Sequence, residues 1–272
     1  MSSTPEERKR IAEDTIARTP SIVEATPGAS DKSWFVPEQL PPLDPSKCPN
    51  SPPTPVQVVG TDTFTTARNL MREYPLEGKV AVLNIASDER RAGGWIGWYT
   101  RTQEEALCYS STLYATLREE YYPWPNLGPG SVAGIFSPDI VIFKDDLCSD
   151  CVDLPVEERR IVSVITVAGP RKPEITKDGE LAKASDLEDF RGKIRLVYRM
   201  AAMYGKHAVV LGALGCGVYA CPGKLVAREM KNVLLEKEFK GWFSHIVFAV
   251  YRPPTGSETY DAFEDAFEGV SV

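Results

Sequence analysis

From Val56 to the C-terminus the chain alternates short β-branched runs with segments of helical period, and that alternation decides what it can fold into. VAVLNIA (80–86), DIVIF (139–143), IVSVITVA (161–168), HAVVLGAL (207–214) and HIVFAVY (245–251) are apolar on both faces, the pattern of strands covered on two sides. Between them the period predicts helices at about 63–73, 103–118, 188–204 and 223–238. Strands of this kind need helices above and below, so one three-layer α/β/α sandwich is expected over residues 56–272. No internal repeat is visible.

Ahead of that body, Ile11, Ala12, Thr15 and Ile16 recur at helical spacing and predict an amphipathic helix from about Glu6 to Arg18. The segment 36–54 (VPEQLPPLDPSKCPNSPPT) holds too many prolines for a helix or a central strand. Residues 1–55 therefore read as a helix and a Pro-rich surface arm packed on the body. They are too few to build a core of their own.

A formal net charge of −7 and a pI near 5.1 argue against a protein that wraps nucleic acid by neutralising phosphates, so no sequence-specific nucleic-acid binding is expected. Backbone N–H groups can still hold a small anion. Six cysteines in 272 residues are too sparse for a disulfide scaffold, the first residues lack the apolar centre of a signal peptide, and no run approaches a membrane span. The chain reads as soluble and intracellular, cytoplasmic or nuclear, with no membrane partner.

Two stretches carry candidate chemistry. LGALGCGVYACPGKL (211–225) runs from a strand through Gly212, Gly215 and Gly217 into a helix near Gly223, a place where α/β proteins bind phosphates. It is neither a dinucleotide fingerprint nor a P-loop, because the spacing is G-x-x-G-x-G and Leu225 follows Gly223-Lys224. A tight turn needing positive φ fits it equally.

In RRAGGWIGWYTRTQEE (90–105) a glycine pair and an aromatic loop precede Glu104 and Glu105. Thr102 and Glu105 match the capping box T-x-x-E, which makes Glu105 a helix cap and leaves Glu104 as a favourable charge near the helix dipole. The chemical reading makes one carboxyl a proton donor beside a sugar, its pKa raised by burial, by the second carboxylate and by a bound diphosphate. Trp95, Trp98 and Tyr99 are costly to leave in water, so they either pack on the body or touch substrate.

The remaining features have plainer readings. Cys148 and Cys151 form a lone C-x-x-C with only His207 and His245 elsewhere, which is no zinc site. Cys108 reads as a small core side chain. The loop YYPWPNLGPG (121–130) reads as a rigid connection around Trp124.

Taken together, Ala92-Gly93-Gly94 followed after eight residues by Gln103-Glu104-Glu105, with ALCYSSTLY (106–114), SPDIVIF (137–143), VITVAGP (164–170) and GALGCGVY (212–219), resemble the microbial-type poly(ADP-ribose) glycohydrolase family, a branch of the macrodomain fold. RKRIAEDTI (8–16) and VVGTDTFTTARNL (58–70) are similar to its N-terminal elements. The resemblance implies a macrodomain-like sandwich around a mixed sheet. It also implies that Glu105 is the catalytic acid and that Glu104 binds the adjoining ribose.

The same resemblance implies ligand contacts from Asp62 at the adenine, from Asn84, Ala86 and Gln103, and from Ala92, Gly93 and Gly94 at the diphosphate. Gly215, Cys216, Gly217 and Val218 resemble a second phosphate loop, and Tyr219 stands where the family usually has phenylalanine. Ala92 replaces the first glycine of the family's triplet, and Arg90-Arg91 replace its Asn-Pro. The implied activity is hydrolysis of an O-glycosidic bond to ADP-ribose, with no metal and no cofactor. Two rivals stand beside it: a reader of ADP-ribosylated protein or nucleic acid that has lost hydrolysis, and an enzyme acting on a free ADP-ribose derivative.

Overall fold

Successive residues of β3 (Val80–Ile85) point into two different cores, Val80 and Val82 into one and Ala81 and Leu83 into the other. A strand buried in this way forces the layered architecture that the computed structural model, which describes residues 3–272, displays. With β1 (Trp34–Val36), β2 (Gln57–Val59), β4 (Gly134–Ile142), β5 (Arg160–Val167), β6 (Ala208–Leu211) and β7 (His245–Ala249), it forms one sheet in the order β1-β4-β5-β3-β6-β7-β2. The sheet is mixed. β5, β3, β6, β7 and β2 run parallel, while β4 is antiparallel to both β5 and β1.

α1 (Pro5–Ala25), α2 (Thr63–Glu73) and α3 (Gln103–Ser110) cover one face through Ala12, Phe64, Leu70 and Leu107. α4 (Ala184–Met203), α5 (Gly223–Leu234) and α6 (Glu258–Phe267) cover the other through Phe190, Val226 and Phe263. Among the described residues no helix is long and apolar enough to cross a membrane.

Several elements differ from the expected bounds. α1 begins with a capping box between Thr4 and Glu7 and continues through Pro20, seven residues past the expected end, because Ile22 packs on Val141 and Phe143. α3 stops at Ser110 instead of running to 118. The hydroxyls of Ser110 and Ser111 bond back to Ala106 and Leu107, and the chain then leaves the helix to pair Ser111 with Ile142 at the end of β4. α5 ends at Leu234, short of 238, and β6 at Leu211, just before the glycine turn. β4 starts earlier than expected, at Gly134, and its register shifts between Ser137 and Ile140, where Pro138 interrupts the ladder. β1, β2 and α6 have no counterpart among the expected elements.

The Pro-rich arm crosses the α4–α5 face as a strap. Gln39 Nε2 donates to the Gly192 carbonyl at 2.8 Å, Arg199 donates to that of Leu40 at 2.7 Å, and the Leu43 N–H donates to Glu238 at 2.9 Å. The apolar Leu43 beside them is buried.

Candidate active site

The carboxyl ends of β2, β3, β6 and β7 open into a cleft of about 780 Å³, where an open α/β sheet generally offers its ligand site. Its walls include Asp62, Ile85, Gln103, Asp146, Cys216 and Gly217. The two glutamates lie outside this lining, under the neighbouring Gly93, and are 2% and 4% exposed for Glu104 and Glu105.

The expected capping box is not formed. Thr102 occupies the N-cap of α3 without bonding the helix backbone, and its hydroxyl instead donates to Glu105 Oε2. Glu105 Oε1 accepts from the N–H of Gly94 at 2.7 Å, so the side chain turns toward the loop and not back to its own helix. Glu104 Oε2 accepts from the Ser87 N–H at 2.8 Å, and Oε1 from Asn84 Nδ2 at 3.2 Å. Burial, opposed by the Ser87 N–H and reinforced by the Glu105 charge, pushes Glu104 up to about 8. A proton is therefore held at Glu104 at neutral pH.

Gly93 is where the carboxylates meet. At φ +57° it is left-handed, and a Cβ there would lie 2.7 Å from Glu105 Oε1 and 3.0 Å from Glu104 Oε2. Only glycine fits. Ala92, buried beside it at the triplet's first position, is also left-handed at φ +56°, a conformation that costs alanine more than glycine. Two N–H groups of this loop are already engaged: Gly93 donates to the Arg90 carbonyl at 3.0 Å and Gly94 to Glu105. Gln103 is engaged as well, with its amide oxygen on the Ile85 N–H at 2.8 Å and its nitrogen on the Leu83 carbonyl at 2.7 Å.

The glycine-rich turn after β6 behaves differently. Among the described residues the N–H groups of Gly217 and Val218 find no protein acceptor, although Cys216, Ala220 and Cys221 all donate within the turn. Gly215 packs on Gly169, where an added Cβ would come within 2.9 Å of the Gly215 Cα. Close approach of two backbones is what requires glycine at these positions, and it leaves an open pair of donors beside the cleft.

Asp62 is the N-cap of α2. One carboxyl oxygen accepts from the N–H groups of Phe64 at 2.8 Å and Thr65 at 3.0 Å, while desolvation in the cleft wall pushes the group up from the usual carboxylate range. Asn84 is buried on β3 and shares its Nδ2 between Glu104 and Thr166, leaving Oδ1 without a partner. Ala86 is buried at the end of β3, its N–H on the Val167 carbonyl.

The three rings of the aromatic loop part company. Trp95 is fully buried against Tyr109 and Tyr114, Tyr99 is half-buried, and Trp98 stays exposed. Cys108 is buried in the core, and Cys148 and Cys151 are free thiols, the first exposed and the second buried. Trp124 is buried against Phe35 and Tyr122.

A hub absent from the expected site joins these loops. Asp88 is 1% exposed, and its Oδ1 accepts from the Tyr219 hydroxyl at 2.6 Å and from Asn126 at 3.0 Å, while Arg171 pairs with Oδ2 at 3.3 Å. The hydroxyl that distinguishes Tyr219 from phenylalanine thus ties the turn after β6 to the segment that supplies the Ser87 N–H to Glu104. The available signal was Ser87-Asp88 directly after a buried parallel strand.

The family model "Microbial-type PARG, catalytic domain" matches residues 13–145 of the chain. Among solved structures, poly(ADP-ribose) glycohydrolase from Thermomonospora curvata is 26% identical with a TM-score of 0.75, covering 96% of this chain and 100% of its own. The Deinococcus radiodurans poly(ADP-ribose) glycohydrolase in complex with ADP-ribose is 27% identical with a TM-score of 0.67, covering 98% of this chain and 94% of its own. No curated protein matches the chain. The family model spans the glycine loop, both glutamates and the first four strands, and the shared fold extends over nearly the full length, so the chain is similar throughout to the microbial-type poly(ADP-ribose) glycohydrolases.

Proposed function

We propose that this protein binds ADP-ribose in the cleft and hydrolyses the O-glycosidic bond that joins it to a leaving group, poly(ADP-ribose) being the substrate. One observation carries the reading: two buried carboxylates converge on a left-handed glycine, beside a cleft edged by backbone donors that no protein group uses. The related enzyme from Thermomonospora curvata has been solved with the inhibitor ADP-HPD and as a glutamate-to-alanine variant, which supports a glutamate-based chemistry.

In this mechanism Glu105 is the acid. In its protonated form it delivers that proton to the leaving oxygen as the bond to the anomeric carbon breaks and positive charge builds on the ribose; water adds to that carbon and returns a proton to the carboxylate, which restores the acid for the next turnover. Glu104, which holds a proton at neutral pH, can donate to one ribose hydroxyl while Asn84 offers its unpartnered Oδ1 to another. Gly217 and Val218 hold the diphosphate with donors already in place, so no reorganisation accompanies the reaction. Proton transfer and attack by water call for no cofactor.

A reader without turnover is the second reading, favoured by the fact that both oxygens of Glu105 already accept hydrogen bonds from the protein. Incubation with poly(ADP-ribose) and with a seryl-linked ADP-ribosyl peptide separates the two. Release of ADP-ribose from the polymer is expected; binding without release makes the protein a reader. Saturating ADP-ribose, at a hundredfold excess over its Kd, should stabilise the fold by about 2.7 kcal/mol, and a flat melting temperature would remove ADP-ribose as ligand.

Asp62 gives a sharper test of the adenine end, because its cap and its recognition role use different atoms. Asp62→Asn keeps an oxygen for the Phe64 and Thr65 N–H groups but turns an amide donor toward the adenine amino group. ADP-ribose affinity should fall by about tenfold or more, the value of one hydrogen bond to a charged group, with ribose 5-phosphate unaffected and little change in melting. Asp62→Ala should add a capping loss of about 0.5–2 kcal/mol. Equal losses for both ligands in the Asn variant would leave Asp62 as a cap alone.

A further inference from the structure

The loop between Gly94 and Thr100 is built to hold one indole in the core and another in water. Its ends are closed by the Thr100 N–H on the Gly94 carbonyl at 3.3 Å, and Arg8 of α1 donates to the Tyr99 carbonyl at 2.5 Å. Trp95 plugs it into the core. Gly97 at φ +93° and Tyr99 at φ +51° turn the chain between them, and Trp98 emerges 61% exposed. A tip with bonded ends and a buried plug is held in place, so this exposure is not slack.

Arg90 lies over one face of the Trp98 ring, 4.3 Å from its centroid, and no carboxylate pairs with it among the described residues. Both Arg90 and Trp98 face solvent. The pair also stands next to the chemistry. The Arg90 carbonyl holds the Gly93 N–H, and the Arg90 N–H bonds to the hydroxyl of Ser87, whose own N–H holds Glu104.

We propose that Trp98 and Arg90 form a subsite for the leaving side of the substrate, stacking a purine base and pairing with phosphate. The inference rests on the hydrolase reading above and names the leaving group within it. In poly(ADP-ribose) the leaving oxygen is the 2′ oxygen of an adenosine, whose base sits on the adjacent ribose carbon and whose 5′ position carries a diphosphate. A seryl leaving group offers neither a ring to stack nor a phosphate. An indole with an unneutralised guanidinium beside it is the chemistry that selects base plus phosphate.

The test compares Trp98→Ala, Trp98→Phe and Arg90→Ala with wild type on poly(ADP-ribose) and on the seryl-linked peptide. For Trp98→Ala, kcat/KM on polymer should fall by about 5- to 150-fold through KM, the worth of one stacked base. The peptide reaction and ADP-ribose affinity should stay unchanged, and Trp98→Phe should restore most of the loss. Arg90→Ala should weaken polymer use and flatten its salt dependence. Equal losses on both substrates, or full polymer activity in Trp98→Ala, would overturn the subsite.

A binding arm keeps the two readings apart. In a Glu105→Gln background, affinity for short oligo(ADP-ribose) is measured beside affinity for ADP-ribose, with and without Trp98. Retained ADP-ribose binding with an oligomer affinity indifferent to Trp98→Ala overturns the subsite alone. Absence of any ADP-ribose binding overturns the functional reading and the subsite together.

Discussion

In a Glu105→Gln protein, single-turnover hydrolysis should fall by about 10²–10⁴-fold while ADP-ribose affinity survives, the result expected if Glu105 is the general acid. The substitution suits the site. A glutamine oxygen still accepts from the Gly94 N–H, held at 2.7 Å in the native protein, and the Thr102 hydroxyl can turn to accept from the new amide. The loop that carries Gly93 and Ala92 therefore keeps its shape, and only the transferable proton is gone. Because Glu105 takes no part in capping α3, the melting temperature should hardly move. Turnover is measured by rapid quench and affinity by calorimetry, and full turnover in the variant would take the acid role from Glu105.

That side chain also marks the limit of what the residues alone disclose. T-x-x-E is a sound capping signal, and the pattern correctly starts a helix at Gln103. Which way Glu105 turns depends on Gly94, eleven residues upstream, whose N–H competes for the same oxygen and wins. The central strands were legible for a local reason: VAVLNI and the runs like it are apolar throughout, and burial on both faces follows directly. β1 and β2 were not, since three-residue edge strands such as Trp34–Val36 are defined by their partners rather than by any period of their own. α6 does leave a trace in Tyr260, Phe263 and Phe267 at helical spacing, a short run that the expected helices do not include.

The candidate site residues divide along the same line. Asp62 entered as a candidate through the family resemblance, and its place as the cap of α2 in the cleft wall came only with the structure. Asp88 was legible at most as an acid just past a buried strand, because its role is tertiary. It becomes a hub only when Tyr219, Asn126 and Arg171, drawn from three distant segments, converge on one carboxylate. Likewise no pattern distinguishes Trp95 from Trp98. The left-handed turns at Gly97 and Tyr99 decide which ring enters the core.

Glu104 makes the fold less stable as pH rises, and Glu104→Gln should remove that loss. The folded carboxyl holds its proton up to about 8, against an ordinary value of 4.5 in the unfolded chain. Below about pH 4.5 both states are protonated and no penalty arises; between there and about pH 8 only the unfolded state ionises, so stability drops as the native state binds the extra proton. Each tenfold difference in proton affinity between the two states is worth about 1.4 kcal/mol, which makes the full effect a few kcal/mol. The amide can be satisfied in place. Its oxygen takes the Ser87 N–H, and Asn84 can turn its unpartnered Oδ1 toward the new nitrogen. Asp62, raised by burial as well, titrates in the same direction in both proteins and cancels in the comparison. Urea midpoints of wild type and variant across about pH 5 to about pH 9 should diverge steadily and then run parallel above about pH 8, with the variant more stable. A gap that stays constant over the whole range would mean that Glu104 is ionised throughout, and the proton assigned to it would have to sit elsewhere in the site.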